Sequence, residues 1–209
     1  MTVAIIDYGM GNLGSVSRAV QTFTSDFIVT SDAVKILKAS KAILPGVGSF
    51  PDGMNNLKER GLDDILKIFA IEKNKPILGI CLGMQLFASS STEIKKTNGL
   101  NLIEGNVISF KDRECSLRLP HVGWNALNNI SEDSIILEGI PEKTDVYFVH
   151  SFLYKLLEES YAICSTNYDV DFPSAIKKNN IYGTQFHPEK SSKAGMRILK
   201  NFLSINVKD

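Results

Sequence analysis

The sequence predicts an α/β protein of three layers, a mostly parallel sheet with helices on both faces and antiparallel additions in the C-terminal half. Three observations carry this. Short apolar runs alternate with helical patterns through the first half. Those runs are apolar on both sides, as strands covered on two faces must be. From Asn106 onward strand-like runs follow one another with few helical patterns between them.

Residues 3–7 (VAIID) form the first buried run, and residues 12–22 place Leu13, Val16, Ala19 and Val20 on one helical face. Residues 27–30 make a second strand and 33–39 a short helix. Residues 42–44 make a third strand, which Pro45-Gly46 is expected to stop. A helical region covers roughly 54–71, interrupted near Gly61. A strand over 76–80 and a helix over 82–89 complete the regular half. The second half reads as strands 106–110, 145–150, 161–166, 174–177 and 181–185, expected at the sheet's edge, and a closing helix over 194–203. No repeat, linker or low-complexity segment interrupts the pattern. One flavodoxin-like domain over 1–209 is the expectation.

Apolar content of 44 % and charged content of 22 % are ordinary for a globular chain able to bury a sizeable core. Lys+Arg and Asp+Glu balance at 23 each, so bulk charge points to neither nucleic acid nor an anionic membrane. Three widely spaced cysteines without a CxxC exclude a disulfide framework and argue for reduced thiols. The N-terminal MTVAIIDYG lacks a basic n-region, and no apolar run approaches the roughly 20 residues of a spanning helix. A soluble, cytoplasmic protein is expected.

In open parallel sheets, ligands sit outside the carboxyl ends of the strands. Three loops at such ends are chemically unusual: 8–14, 45–50 and 81–85. In the first, Gly9-Met10-Gly11-Asn12-Leu13-Gly14 matches GxGxxG between a strand and a helix, with Asp32 just past the second strand. This is close to a dinucleotide-binding fingerprint. It is equally a plain glycine-rich turn, and no hydride-acceptor site follows downstream. Nucleotide binding stays as the alternative of another class.

Gly79-Ile80-Cys81-Leu82-Gly83 has the form G-x-C-x-G, the cysteine version of a nucleophile elbow. Such a turn projects Sγ at the start of a helix, where the dipole and free N–H groups favour the reactive thiolate. The Leu82 N–H is the natural donor to a developing oxyanion. Cys115 and Cys164, in ordinary surroundings, read as small apolar residues. A thiol nucleophile usually works with a histidine. Among His121, His150 and His187, the last lies just past a strand in Gly183-Thr184-Gln185-Phe186-His187-Pro188-Glu189. Glu189 there could accept the imidazole N–H and orient the ring. His150 ends a strand and reads as structural or functional alike; His121 reads as a loop or interface residue. Cys81, His187 and Glu189 could also form a three-ligand metal site, but without the short paired spacings of zinc sites, so no metal or cofactor is expected.

Together, Gly79-Ile80-Cys81-Leu82-Gly83-Met84-Gln85 and Gln185-Phe186-His187-Pro188-Glu189 resemble the class I (triad) glutamine amidotransferases. Asp7–Asn12, Pro45–Phe50, Pro120–Asn125 and His187–Ser191 are similar, more narrowly, to glutaminase subunits that serve histidine biosynthesis beside a separate cyclase. The resemblance implies that Cys81 attacks the carboxamide of L-glutamine and that His187, held by Glu189, protonates the departing ammonia. It implies that Gly46, Val47 and Gly48 form an oxyanion strand whose glycines let a peptide flip. Gln85 and the backbone at Ser151 and Phe152 would hold the substrate. Because the motifs run almost to the C-terminus, the acceptor would sit on a partner, a (β/α)8-barrel cyclase subunit docking near Asn12, Trp124, Asn125, Tyr147 and Lys190. Trp124 reads equally as a core anchor. Similar subunits also feed barrel partners that build an amidino group on a surface sugar, which is the alternative acceptor.

Overall fold

The computed structural model describes residues 2–206. Strand and helix alternate at first: β1 (Val3–Ile6), α1 (Leu13–Gln21), β2 (Phe27–Thr30), α2 (Ala33–Lys38), β3 (Lys41–Gly46), α3 (Phe50–Glu59), α4 (Leu62–Lys67), β4 (Ile77–Cys81) and α5 (Leu82–Gln85). Strands then dominate: β5 (Ser90–Ser91), β6 (Thr97–Asn98), β7 (Gly105–Ser109), β8 (His121–Ala126), β9 (Asp145–His150) and β10 (Phe152–Leu156). The chain closes with β11 (Ala162–Tyr168), β12 (Val170–Lys178), β13 (Ile181–Thr184) and α6 (Ser192–Leu203).

The main sheet has seven strands in the order β11-β12-β13-β4-β3-β1-β2. The five from β13 to β2 run parallel, and β12 and β11 are antiparallel. The parallel five repeat the flavodoxin order 2-1-3-4-5. Successive residues of β1 enter different cores. Ala4 and Ile6 face α2, α3 and α4, whereas Val3 and Ile5 face α1, α6 and β9. Ile5 and Ile6 are both fully buried, worth about 1.5–3 kcal/mol each. No described helix is long and apolar enough to cross a membrane.

Several elements depart from the sequence reading. Of the five late strands expected at the sheet's edge, only β11 and β12 lie there. β13 sits inside the sheet, parallel to β4. β7 belongs to a four-stranded sheet ordered β10-β7-β5-β6, and β9 pairs with β8 alone. β9 is buried on one face only, but its outward residues include Tyr147 and Val149, so its sequence does not alternate visibly. Pro45 does not stop β3, which pairs with β4 as far as Gly46. It lies beyond Ile43, the last β3 residue paired with β1, so its missing N–H costs little on that side. The helix after Cys81 is a single turn. Loop N–H groups of Leu100, Asn101 and Leu102 take the carbonyls of Leu86, Ala88 and Phe87, which would otherwise extend it. The interruption at Gly61 is present: Gly61 adopts φ 64° between α3 and α4.

Gly83 seats α5 directly on β3, where a Cβ would collide with the Leu44 carbonyl oxygen. Gly83→Ala is therefore expected to cost about 3 kcal/mol by overpacking. The urea midpoint reads this; an unchanged midpoint would mean the elbow is looser than described.

Candidate active site

Cys81 stands where β4 turns into α5, with φ 55° and ψ −111°. This is a strained conformation for a residue with a Cβ. The turn closes because a Cβ on Gly79 would lie 2.6 Å from both the Met84 nitrogen and the Phe87 ring. β13 runs parallel to β4 with Gly183 beside Gly79 and Thr184 beside Ile80. The residues after Thr184 therefore emerge at the same sheet end as Cys81, and this register delivers His187 to the thiol.

The ring of His187 is pinned from behind. Its Nδ1 lies 2.8 Å from Glu189 Oε1, and both side chains are buried. Its backbone N–H donates to the Tyr147 carbonyl. The Ser191 hydroxyl donates to the His187 carbonyl and accepts from the Tyr147 N–H. Burial opposes the imidazolium, but hydrogen bonding to Cys81 and Glu189 and the charge of both more than offset it, raising the pKa to about 9. Nε2 is buried with no well-formed hydrogen bond among the described residues, free for a reacting atom. Because Glu189 occupies the far side of the ring, the three side chains do not converge on one point as metal ligands. No described cluster of three His, Cys, Asp or Glu side chains does so.

A cavity of about 310 Å³ opens over Cys81, at the small end of ligand pockets. Val47, Gly48, Leu82, Gln85, Ser151, Phe152 and His187 all line it. Gly48 has φ 112°, a backbone state glycine favours. Gly46 lies behind this wall instead, where a Cβ would meet the Tyr8 hydroxyl at 2.5 Å and the Gly83 nitrogen at 2.8 Å. Tyr8 Oη is buried without a hydrogen-bond partner among the described residues, and burial pushes its pKa well up.

Sequence reasoning overlooked two polar side chains here. Gln185 is fully buried, and its Nε2 lies 3.7 Å from Cys81 Sγ. Gln85 Nε2 donates to Gln185 Oε1 at 2.9 Å and to the Phe152 carbonyl at 3.1 Å. Glu93 lines the cavity and accepts from the Phe50 N–H at 2.8 Å. Burial raises its pKa despite that bond. Gln185 stood within the motif; Glu93, in a polar loop, carried no signal.

The remaining residues divide cleanly. His121 is a buried strand residue, not a loop or interface residue, and His150 is buried beside it at the cavity wall. Trp124 is not a core anchor: it is 55 % exposed. It meets Tyr147 edge-on, and Lys190 Nζ lies 5.8 Å from the Tyr147 ring. Trp124, Val122 and Tyr147 form an outward face of the β8–β9 pair, next to Val149 at the cavity. Asn12 caps α1, accepting from the Ser15 N–H. Asn125 donates to the Asn167 carbonyl. The GxGxxG loop serves packing, since a Cβ on Gly11 would press on the Pro45 carbonyl. Asp32, the residue a ribose would need, spends its carboxylate capping α2.

This chain belongs to the class-I glutamine amidotransferase family, whose model matches residues 4–205. "Imidazole glycerol phosphate synthase subunit HisH" of Caldanaerobacter subterraneus subsp. tengcongensis is 46 % identical over 200 residues, covering 96 % of each chain. "Imidazole glycerol phosphate synthase subunit HisH 1" of Methanococcus maripaludis is 43 % identical over 205 residues, covering 97 % of this chain and 99 % of that one. In fold, the chain is similar to the structure of PurLQS from Thermotoga maritima, with a TM-score of 0.75 at 18 % identity, covering 97 % of both.

The raised pKa of His187 links stability to pH. Its contribution is complete below pH 6.5 and is lost as pH rises towards about 9. The unfolding free energy should fall by on the order of 3 kcal/mol across that interval, and by less in Glu189→Gln. Equal pH slopes in the two proteins would remove the assigned role of the pair.

Proposed function

We propose that this chain is the glutaminase subunit of an imidazole glycerol phosphate synthase. It hydrolyses L-glutamine and passes ammonia to a separate (β/α)8-barrel cyclase subunit. The reading is carried by one observation, the meeting of Cys81 with the His187–Glu189 pair over a cavity, in a chain akin along its whole length to subunits of that name.

Cys81 passes its thiol proton to His187 Nε2, Sγ attacks the carboxamide carbon, and the carbonyl electrons move onto oxygen. The Leu82 N–H and an N–H of the Val47–Gly48 segment stabilise that oxyanion, with Gly46 supplying the close packing behind them. His187 gives its Nε2 proton to the nitrogen as the C–N bond breaks, releasing ammonia and leaving a γ-glutamyl thioester. Water then attacks the thioester, His187 takes its proton, and glutamate leaves as the thiol is restored. Glu189 holds the ring and balances its charge. Nothing in these steps calls for a metal or cofactor. Gln85 and the backbone at Ser151 and Phe152 hold the substrate's polar groups, and the Glu93 carboxylate suits its α-ammonium.

Ammonia released to water is protonated and lost to the acceptor, so the cavity mouth must be covered. The exposed Val122–Trp124–Tyr147 face, with Lys190 beside it and Asn12 and Asn125 near the same sheet end, is the docking surface. Its central aromatic makes it a suitable hot spot. The partner adds the nitrogen to a phosphoribulosyl-formimino carboxamide ribotide, giving imidazole glycerol phosphate and aminoimidazole carboxamide ribotide. The single domain works in the cytoplasm.

Cys81→Ala should lower glutamine hydrolysis by about 10³-fold or more while leaving complex formation intact. Glutamate production measured with the barrel partner and its ribotide present reads this, and surviving turnover would end the nucleophile assignment. Trp124→Ala should weaken partner binding by about 2 kcal/mol, near 30-fold, in a calorimetric titration. Unaltered affinity would move the docking surface elsewhere.

A further inference from the structure

An ordered line of hydrogen bonds, unused by the chemistry above, runs from β8 to the cavity wall. Asn125 Nδ2 lies 3.2 Å from His121 Nε2, His121 Nδ1 lies 3.0 Å from His150 Nε2, and His150 Nδ1 lies 2.8 Å from the Phe152 carbonyl. The ends fix its direction. A carbonyl only accepts, so His150 carries its proton on Nδ1 and offers a bare Nε2. His121 must then donate from Nδ1, and its own Nε2 must accept from the Asn125 amide. That amide is oriented independently, since Nδ2 also donates to the Asn167 carbonyl and Oδ1 accepts from the Ala126 N–H. Both rings are therefore neutral Nδ1–H tautomers. A further proton on either would set two donors against each other.

The surroundings enforce the same state. Tyr168 and Phe148 stack on His121 with ring centroids 4.0 and 4.9 Å away, and Phe110 meets His150 edge-on at 5.1 Å. Burial lowers the pKa of His121 to about 4 and that of His150 to about 3, the latter helped by the nearby His121 and His187. Tyr168 from β11 and His187 beyond β13 are the titratable groups facing the pair. Two apolar rings would fill this space at lower desolvation cost. What they could not do is hold the Phe152 carbonyl, which also receives Gln85 Nε2.

We propose that Asn125, His121 and His150 form a positioning relay that carries the placement of β8 to the Phe152 carbonyl and Gln85. The outward face of β8 is the docking surface, so a partner that shifts β8 acts on the glutamine subsite through this line. The proposal rests on the glutaminase reading for its consequence, but its geometry stands apart from it.

Two measurements test it. Nitrogen NMR of the chain carrying ¹⁵N-labelled histidine should find both rings as neutral Nδ1–H tautomers down to about pH 5. A ring in the Nε2–H form, or one titrating between about pH 6 and 7, overturns the relay whether or not the chain hydrolyses glutamine. In the complex with the cyclase subunit, His150→Leu should raise KM for glutamine about tenfold and lower kcat by less than about threefold. His150→Asn, whose amide still reaches the Phe152 carbonyl, should return KM to within about threefold of the parent. Equal KM changes in both variants, with equal losses in Tm, mark the ring as packing alone and overturn the proposal. Normal tautomer results in a chain without glutaminase activity would leave the relay standing and sink the function instead.

Discussion

A φ of 55° at Cys81 is tenable because glycine stands two residues to either side of it. Gly79 lets the Phe87 ring and the Met84 nitrogen close over the strand, and Gly83 lets the helix rest on the backbone of β3. Strain of this kind costs on the order of 1–3 kcal/mol and persists only when neighbours over-determine it. Here they are the two strands flanking β4. β3 contributes the Gly46–Gly48 segment and β13 contributes His187, so the packing that enforces the elbow also assembles the site around it.

A second constraint runs through the Phe152 carbonyl. It accepts from His150 and from Gln85, whose amide continues to Gln185 and so to Cys81 Sγ. Two layers of the molecule thus share one backbone oxygen: the β8–β9 pair on one side and the elbow on the other. Buried amides and imidazoles in such a line have their donors and acceptors assigned by their neighbours, which makes the arrangement specific rather than adaptable.

Local chemistry was legible in the sequence and long-range placement was not. The elbow glycines, the apolar runs of β1 and β4 and the helix break at Gly61 all act through near neighbours, so their spacing carried the information. β8 shows no strand pattern in the sequence because Pro120 stands just before it, Gly123 interrupts it, and its outward Val122 and Trp124 hide the alternation. His121 was misjudged with it. Gln185 reaches Cys81 Sγ, and Glu93 the cavity, only because β13 lies beside β4 and a polar loop folds back onto α3, contacts that no periodicity encodes. Trp124 was ambiguous for the same reason, since an exposed aromatic has a meaning only once the face around it is known.

The central claim is that Cys81 carries the glutamyl group. Acid-quenching the chain with its barrel partner, ribotide and glutamine, then mapping peptides by mass spectrometry, tests this directly. The account predicts a glutamyl adduct on the peptide containing Cys81 and on no other. An adduct on Cys115 or Cys164, or turnover with no adduct on any cysteine under conditions that trap the intermediate, would contradict it.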